Sequence, residues 1–156
     1  TLFPYTTLFR SPARVVVDSS GRIPLDARIL DDAATTYVLL SADATPERRD
    51  AIAAAGAEVV VAGDERVSLP EALDALGDRG VADLMVEGGG EIIHSLFAAD
   101  LVDELSVYVG SLVLGGREAP TLVDGPGFVE DFPKLSLEDV RRVDDGVLLS
   151  YEVLGR

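Results

Sequence analysis

Leu84-Met85-Val86-Glu87-Gly88-Gly89-Gly90 joins an apolar run to a carboxylate and three glycines, and the reading of this joint decides the fold. Ala82 to Val86 predicts a short buried strand, and Glu91 to Ala99, with Ile92, Ile93, Leu96 and Phe97 at helical spacing, predicts the helix that follows. A strand-to-helix joint without side chains lets a ligand approach main-chain N–H groups that the helix leaves unpaired. The positive end of the helix dipole favours an anion there. Gly88-Gly89-Gly90 is not the G-x-G-x-x-G dinucleotide fingerprint. On the triplet alone, a phosphate cradle and a tight turn needing positive φ are equal readings.

Outward from this joint the chain alternates between strand and helix signals. Arg14 to Val17, Tyr37 to Leu40, Glu58 to Val61, Leu84 to Val86 and Leu105 to Val109 read as strands. Thr45 and Pro46 supply an N-cap and a first helical residue for a helix ending at Gly56. Ser68 and Glu71 have the spacing of a capping box, and Leu69, Ala72, Leu73 and Leu76 give the second helix one apolar face. Strands alternating with crossover helices predict an α/β fold with a mainly parallel, doubly covered sheet. The tail differs: Ser136 to Val143 and Val147 to Val153, joined through Asp144-Asp145-Gly146, predict an antiparallel hairpin at one edge. No repeat, linker or low-complexity tract interrupts the chain, so one domain is the simplest reading.

At 156 residues, 47% of them hydrophobic, the chain can bury a real core. No apolar run reaches the length of a membrane helix, which predicts a soluble protein. Absence of cysteine excludes disulfides, zinc-thiolate sites and thiol nucleophiles, and fits a cytoplasmic location. The net charge of −15 is spread along the chain, and such a surface repels nucleic acid and acidic membranes. Lys134 is the only lysine; an acid-rich, lysine-poor composition resembles proteins of salt-loving archaea, in which salt screens the repulsion between surface carboxylates. Thr1 to Ser11 carries no acidic residue and no helical or alternating pattern, and it looks like the translation of a sequencing-library adapter. It is set apart from the fold, which is expected over residues 12–156.

Four stretches come in a telling order: Val15-Val16-Val17-Asp18-Ser19-Ser20-Gly21-Arg22-Ile23-Pro24-Leu25, Glu87-Gly88-Gly89-Gly90, Leu101-Val102-Asp103-Glu104-Leu105 and Gly115-Gly116-Arg117-Glu118-Ala119-Pro120-Thr121-Leu122. Together they resemble the reductase domain family of riboflavin biosynthesis, a relative of dihydrofolate reductase. Gly110-Ser111, where bacterial relatives carry Ala-Pro, points to the archaeal branch. The resemblance implies a dihydrofolate reductase-like three-layer α/β sandwich. It also implies NADPH-dependent reduction of the ribosyl group of 2,5-diamino-6-ribosylamino-4(3H)-pyrimidinone 5′-phosphate to ribityl, by a cytoplasmic homodimer. Family chains carry a further N-terminal portion, so the resemblance reads residues 12–156 as a partial reductase domain.

By the same resemblance Gly88, Gly89, Gly90, Glu91 and Ile92 lie along the cofactor, Ser41 meets its adenosine half, and Asp18 is a further cofactor-side residue. Substrate contacts fall to Arg22, Leu25 and Glu87. Arg22 suits a phosphate because its fork makes charge-assisted bidentate bonds. Glu87 ends an otherwise apolar strand, where a carboxylate is costly unless paired, and an aminopyrimidine offers N–H donors to it. Arg48 or Arg49 meets a 2′-phosphate or faces solvent, so NADPH and NADH both stay open. His94, the one histidine, is read as a surface or cleft residue and makes no metal site. No general acid is assigned. Other readings of the same features are an inactive nucleotide-binding or dimerising fragment, and a dihydrofolate reductase-like enzyme with another substrate.

Overall fold

The computed structural model describes residues 11–116 and 118–155. Nearly all of the head segment, and Arg117 of the fourth motif, lie outside the described residues. The chain divides into two compact units, the first ending at Ala82 and the second beginning at Asp83.

In the first unit, β1 (Arg14–Val17), β2 (Thr36–Leu40) and β3 (Glu58–Val61) form a parallel sheet in that order, with Val16, Val38 and Val59 in register. The Val runs of β1 and β3 and the apolar Tyr37 to Leu40 of β2 suit a buried sheet, and all five residues of the central strand β2 are buried. Successive side chains point to opposite faces, so β2 feeds two cores. Val38 and Leu40 pack with Leu30, Ala44, Ile52 and Ala57 on the side of α1 (Pro46–Ala54). Tyr37 and Leu39 pack with Val60, Ala62, Ala72 and Leu76 on the side of α2 (Leu69–Gly77). The unit is thus three layers deep, and its strand ends are fixed from both sides.

Thr45 caps α1 as its sequence requires, its hydroxyl accepting the Arg48 N–H at 3.3 Å. Ser68 occupies the N-cap of α2 but makes no side-chain cap bond. The capping box does not form because the Glu71 carboxylate accepts the N–H of Gly63 at 3.1 Å, a residue of the preceding turn held at φ +79°.

In the second unit, α3 (Gly90–Ala98) leads to an antiparallel sheet of β4 (Glu104–Val109), β6 (Gly146–Val153) and β5 (Leu135–Val143), with β6 central. The hairpin between β5 and β6 turns at Asp144, which sits at φ +51°. The predicted fifth strand therefore joins the hairpin instead of extending the parallel sheet. Leu105, Val107 and Val109 lie opposite Tyr151, Leu149 and Val147, which gives that pairing an apolar face. The predicted strand at Leu84 to Val86 does not form. Residues 82–89 carry no strand pairing and Met85 is 80% exposed, because an apolar run becomes a strand only when a neighbour takes its N–H and C=O groups.

Candidate functional site

The loops at the C-terminal ends of the parallel strands gather four of the residues singled out in the sequence: Asp18, Arg22, Leu25 and Ser41. Asp18 follows β1 and is only 8% exposed. One of its carboxylate oxygens accepts the Ile23 N–H at 2.7 Å, and its main-chain carbonyl accepts the Gly21 N–H at 2.9 Å. The other oxygen has no hydrogen-bond donor and lies 3.6 Å from Nε of Arg22, whose side chain is 87% exposed. Leu25 is exposed on the same loop. Gly21 adopts φ +70°, and a Cβ there would stand 3.1 Å from both Arg48 Cγ and Ile52 Cδ1, so glycine is required twice over.

Ser41 follows β2 and is fully buried. Its N–H and its hydroxyl both donate to the carbonyl of Ser19 at 2.9 Å, and the hydroxyl also faces the Glu65 carbonyl at 3.3 Å. It ties the three strand-end loops together. The two arginines at the start of α1 are engaged in the same way. Arg48 donates through Nε to the Gly21 carbonyl and through Nη2 to the Ile23 carbonyl. Arg49 donates through Nη2 to the Ala42 carbonyl at 2.6 Å. Neither arginine simply faces solvent, and both donate to main-chain carbonyls instead of carboxylates.

The glycine corner lies in the second unit, and its three glycines differ. Gly89 is the N-cap of α3 at φ +83°, with its carbonyl accepting the N–H groups of Ile92 at 3.0 Å and Ile93 at 3.1 Å. Gly90 is needed for close approach, since a Cβ would meet the Asp124 carboxylate and stand 2.8 Å from the Asp124 main-chain N. Gly88 has neither constraint: no positive φ, and nothing within 4 Å of where its Cβ would be. Glu87 and Glu91 are exposed and Ile92 is half-buried. Glu87 does not end a buried strand as the sequence predicts: with no strand at 84–86, its carboxylate stays exposed to water.

A third feature escaped the sequence reading. The Thr121 hydroxyl bonds the Asp124 carboxylate, a Cβ at Gly125 would stand 3.2 Å from the His94 ring, and His94 stacks on Phe128 with centroids 4.9 Å apart. This loop wraps the first turns of α3. The signal was the turn chemistry of Asp124-Gly125-Pro126-Gly127. His94 is therefore a packed ring, and its Nε2 is buried without a hydrogen-bond partner among the described residues. Among those residues no cluster of His, Cys, Asp or Glu could hold a metal ion, and no helix is long and apolar enough to cross a membrane.

The strand-end loops of the first unit present an exposed guanidinium at Arg22, and in the second unit the corner before α3 presents an exposed carboxylate at Glu87 and an open helix start. The fold is the dihydrofolate reductase-like α/β fold of the pyrimidine reductases. A pyrimidine reductase-like protein of Corynebacterium diphtheriae matches with a TM-score of 0.75 at 20% identity, over 93% of this chain and 62% of that one. RibD of Acinetobacter baumannii matches with a TM-score of 0.69 at 25% identity, over 91% and 38%.

Within that class, the family model of the RibD C-terminal domain matches residues 3–149, and the chain belongs to that family. Over 136 residues it is 46% identical to the 2,5-diamino-6-ribosylamino-4(3H)-pyrimidinone 5′-phosphate reductase of Archaeoglobus fulgidus, covering 87% of this chain. Over 147 residues it is 41% identical to the reductase of the same name from Methanothermobacter thermautotrophicus, covering 93%. The chain spans 60% of the length of the first relative and 68% of the second.

Proposed function

We propose that this chain is the core of a riboflavin-biosynthesis reductase that uses NADPH to reduce the ribosyl side chain of 2,5-diamino-6-ribosylamino-4(3H)-pyrimidinone 5′-phosphate to ribityl. The observation that carries the reading is the open corner at Gly88 and Gly89, in a chain 46% identical to an archaeal reductase of that name. A side-chain-free corner at the start of a nine-residue helix suits the diphosphate of a nicotinamide cofactor. Because the Asp124 carboxylate sits against Gly90, the diphosphate is received on the Gly88 and Gly89 side, with Glu91 and Ile92 along it. The bound cofactor supplies the hydride, and the protein holds the sugar carbon in position to receive it.

In this reading Arg22 takes the substrate phosphate, Leu25 packs beside it and the exposed carboxylate of Glu87 accepts N–H groups of the aminopyrimidine. Ser41 serves the cofactor side through the loops it fixes, since its hydroxyl already has protein partners, whereas Asp18, one oxygen of which accepts the Ile23 N–H, serves the loop that carries Arg22. The location is cytoplasmic, the net charge of −15 is an adaptation to salt, and the assembly is a homodimer that covers apolar surface of the second unit. Residues 1–11 are foreign to the domain, and the activity needs a further segment such as the longer relatives have.

The test is loss of NADPH absorbance with the ribosylaminopyrimidine phosphate in high salt. Little turnover is expected from residues 1–156, and turnover within the usual enzymic range, about 1–1000 per second, from a chain in which residues 1–11 give way to the natural upstream segment. Inactivity of that longer protein would count against the reductase reading.

A further inference from the structure

The loop that carries Arg22 is held in an unusual way. Gly21 and Ile23, the residues on either side of it, have both main-chain groups engaged, and all four bonds go to two residues. The Gly21 N–H donates to the Asp18 carbonyl at 2.9 Å and the Ile23 N–H to the Asp18 carboxylate at 2.7 Å. The carbonyls of Gly21 and Ile23 accept from Nε and Nη2 of the Arg48 guanidinium. The stem of Arg48 lies under Gly21, where a Cβ would crowd it. Between these fixed points Arg22 projects its guanidinium into solvent, touched only by the 3.6 Å approach to Asp18.

From this geometry we infer that Asp18 and Arg48 are positioning residues for Arg22, a clamp that presents one free guanidinium to the phosphate of a small-molecule substrate. An exposed arginine on a loose loop loses backbone and side-chain freedom when it captures a phosphate. Fixing the flanking peptides beforehand removes the backbone share of that cost. The planar fork of Arg48 reaches the carbonyls of Gly21 and Ile23, two residues apart, with two donors held at a fixed spacing that the single nitrogen of an ammonium lacks. Asp18 balances the local charge and holds the loop while leaving Arg22 open, because a 3.6 Å exposed ion pair is weak and readily exchanged for a phosphate. The inference also reassigns Arg48, which holds the substrate loop and does not read a 2′-phosphate. It rests on the proposed reductase activity only for the identity of the phosphate ligand.

The test uses the full-length protein with Arg48→Met, which keeps the stem and removes the donors, and Arg48→Lys as the milder variant should the first fail to fold. Amide hydrogen exchange across residues 19–25 should speed up about tenfold in the Met variant and less in the Lys variant, in line with charge-assisted bonds lost. KM for the phosphorylated substrate, and Ki for inorganic phosphate as competitor, should rise about tenfold with kcat within about twofold. Affinity for NADPH should hold, and added guanidinium should recover part of the lost KM in the Met variant. Unchanged exchange overturns the clamp whatever the activity. Weakened NADPH binding with an intact KM overturns it too and moves Arg48 to the cofactor. A wild-type protein without reductase activity would sink the functional reading alone, since exchange and phosphate binding, followed by direct titration, would still report on the clamp.

Discussion

The two units of this chain bury their apolar side chains very differently. The first wraps a parallel sheet on both faces, and β2 disappears into two cores. In the second, Leu96 and Phe97 of α3 are the buried hydrophobic residues among those described. Among the described residues, the large hydrophobic side chains that stand exposed before Asp83 are Val17, Leu25 and Val61. Both units have strands with good β-formers, so composition does not separate them. What separates them is whether a sheet face finds a covering helix within the same unit. The first unit can be rigid by itself, and a rigid unit is where a clamp such as that around Arg22 can be built. The apolar face that β4, β5 and β6 share, and the run Leu112-Val113-Leu114, are surfaces in want of cover.

The largest expected effect tests that contrast directly. Leu40→Ala removes a fully buried side chain from the α1 core and should cost about 2–5 kcal/mol, read as a lowered urea midpoint. Val113→Ser removes an apolar side chain that is wholly exposed, and its midpoint should move within about 0.5 kcal/mol. Equal losses would show that the second unit has a core of its own and would end the comparison. A gain in solubility from Val113→Ser would sharpen it.

A second pair of substitutions asks whether the open corner of the second unit is open for a ligand. Gly88→Val meets no neighbour in the chain and should leave stability alone while weakening NADPH binding, measured by cofactor fluorescence in the full-length protein. Gly90→Ala should instead destabilise, because the new methyl collides with Asp124. Glu87→Gln should lower turnover of the aminopyrimidine without hurting the fold. A bond to a charged acceptor is worth roughly 1.5–3 kcal/mol, about ten- to a hundredfold in rate. If Gly88→Val and Gly90→Ala behave alike, the corner is a packing turn and not a cradle.

The same contrast decides what could be read from sequence. Signals confined to a few neighbouring residues were legible: the bounds of β1 and β3, the Thr45 cap with Pro46, and the Asp144 turn all match. Features that need a distant partner were not. The strand expected at Leu84 to Val86 depends on a neighbour, and Glu71 chose Gly63 over its own helix start. Arg48 bonds carbonyls 25 and 27 residues back in the chain, and no local pattern announces such a contact. For the candidate site, residue types were legible but their burial was not, as the enclosed Ser41 and the exposed Glu87 illustrate.

The smallest expected effect concerns acid, with one carboxylate in each unit. The Arg14 guanidinium, bonded to Asp31 at 2.8 Å, and after it the Ala33 N–H, hold the Asp31 carboxyl below the usual carboxylate range. The Ser111 hydroxyl, then the residue's own N–H and the Tyr108 hydroxyl, do the same for Asp145 beside the hairpin turn. A carboxyl lowered in the folded state stabilises fully above its unfolded value, near 3.8, and loses that contribution as pH falls through the lower folded value. Both groups are exposed, so each contribution is slight. Asp31→Asn ought to flatten the acid limb of first-unit unfolding below about pH 4, and Asp145→Asn that of the hairpin, each followed by NMR in its own unit. Coincident acid transitions in both units, moved equally by either substitution, would mean that the two unfold as one body and that the difference in their cores does not set their stability.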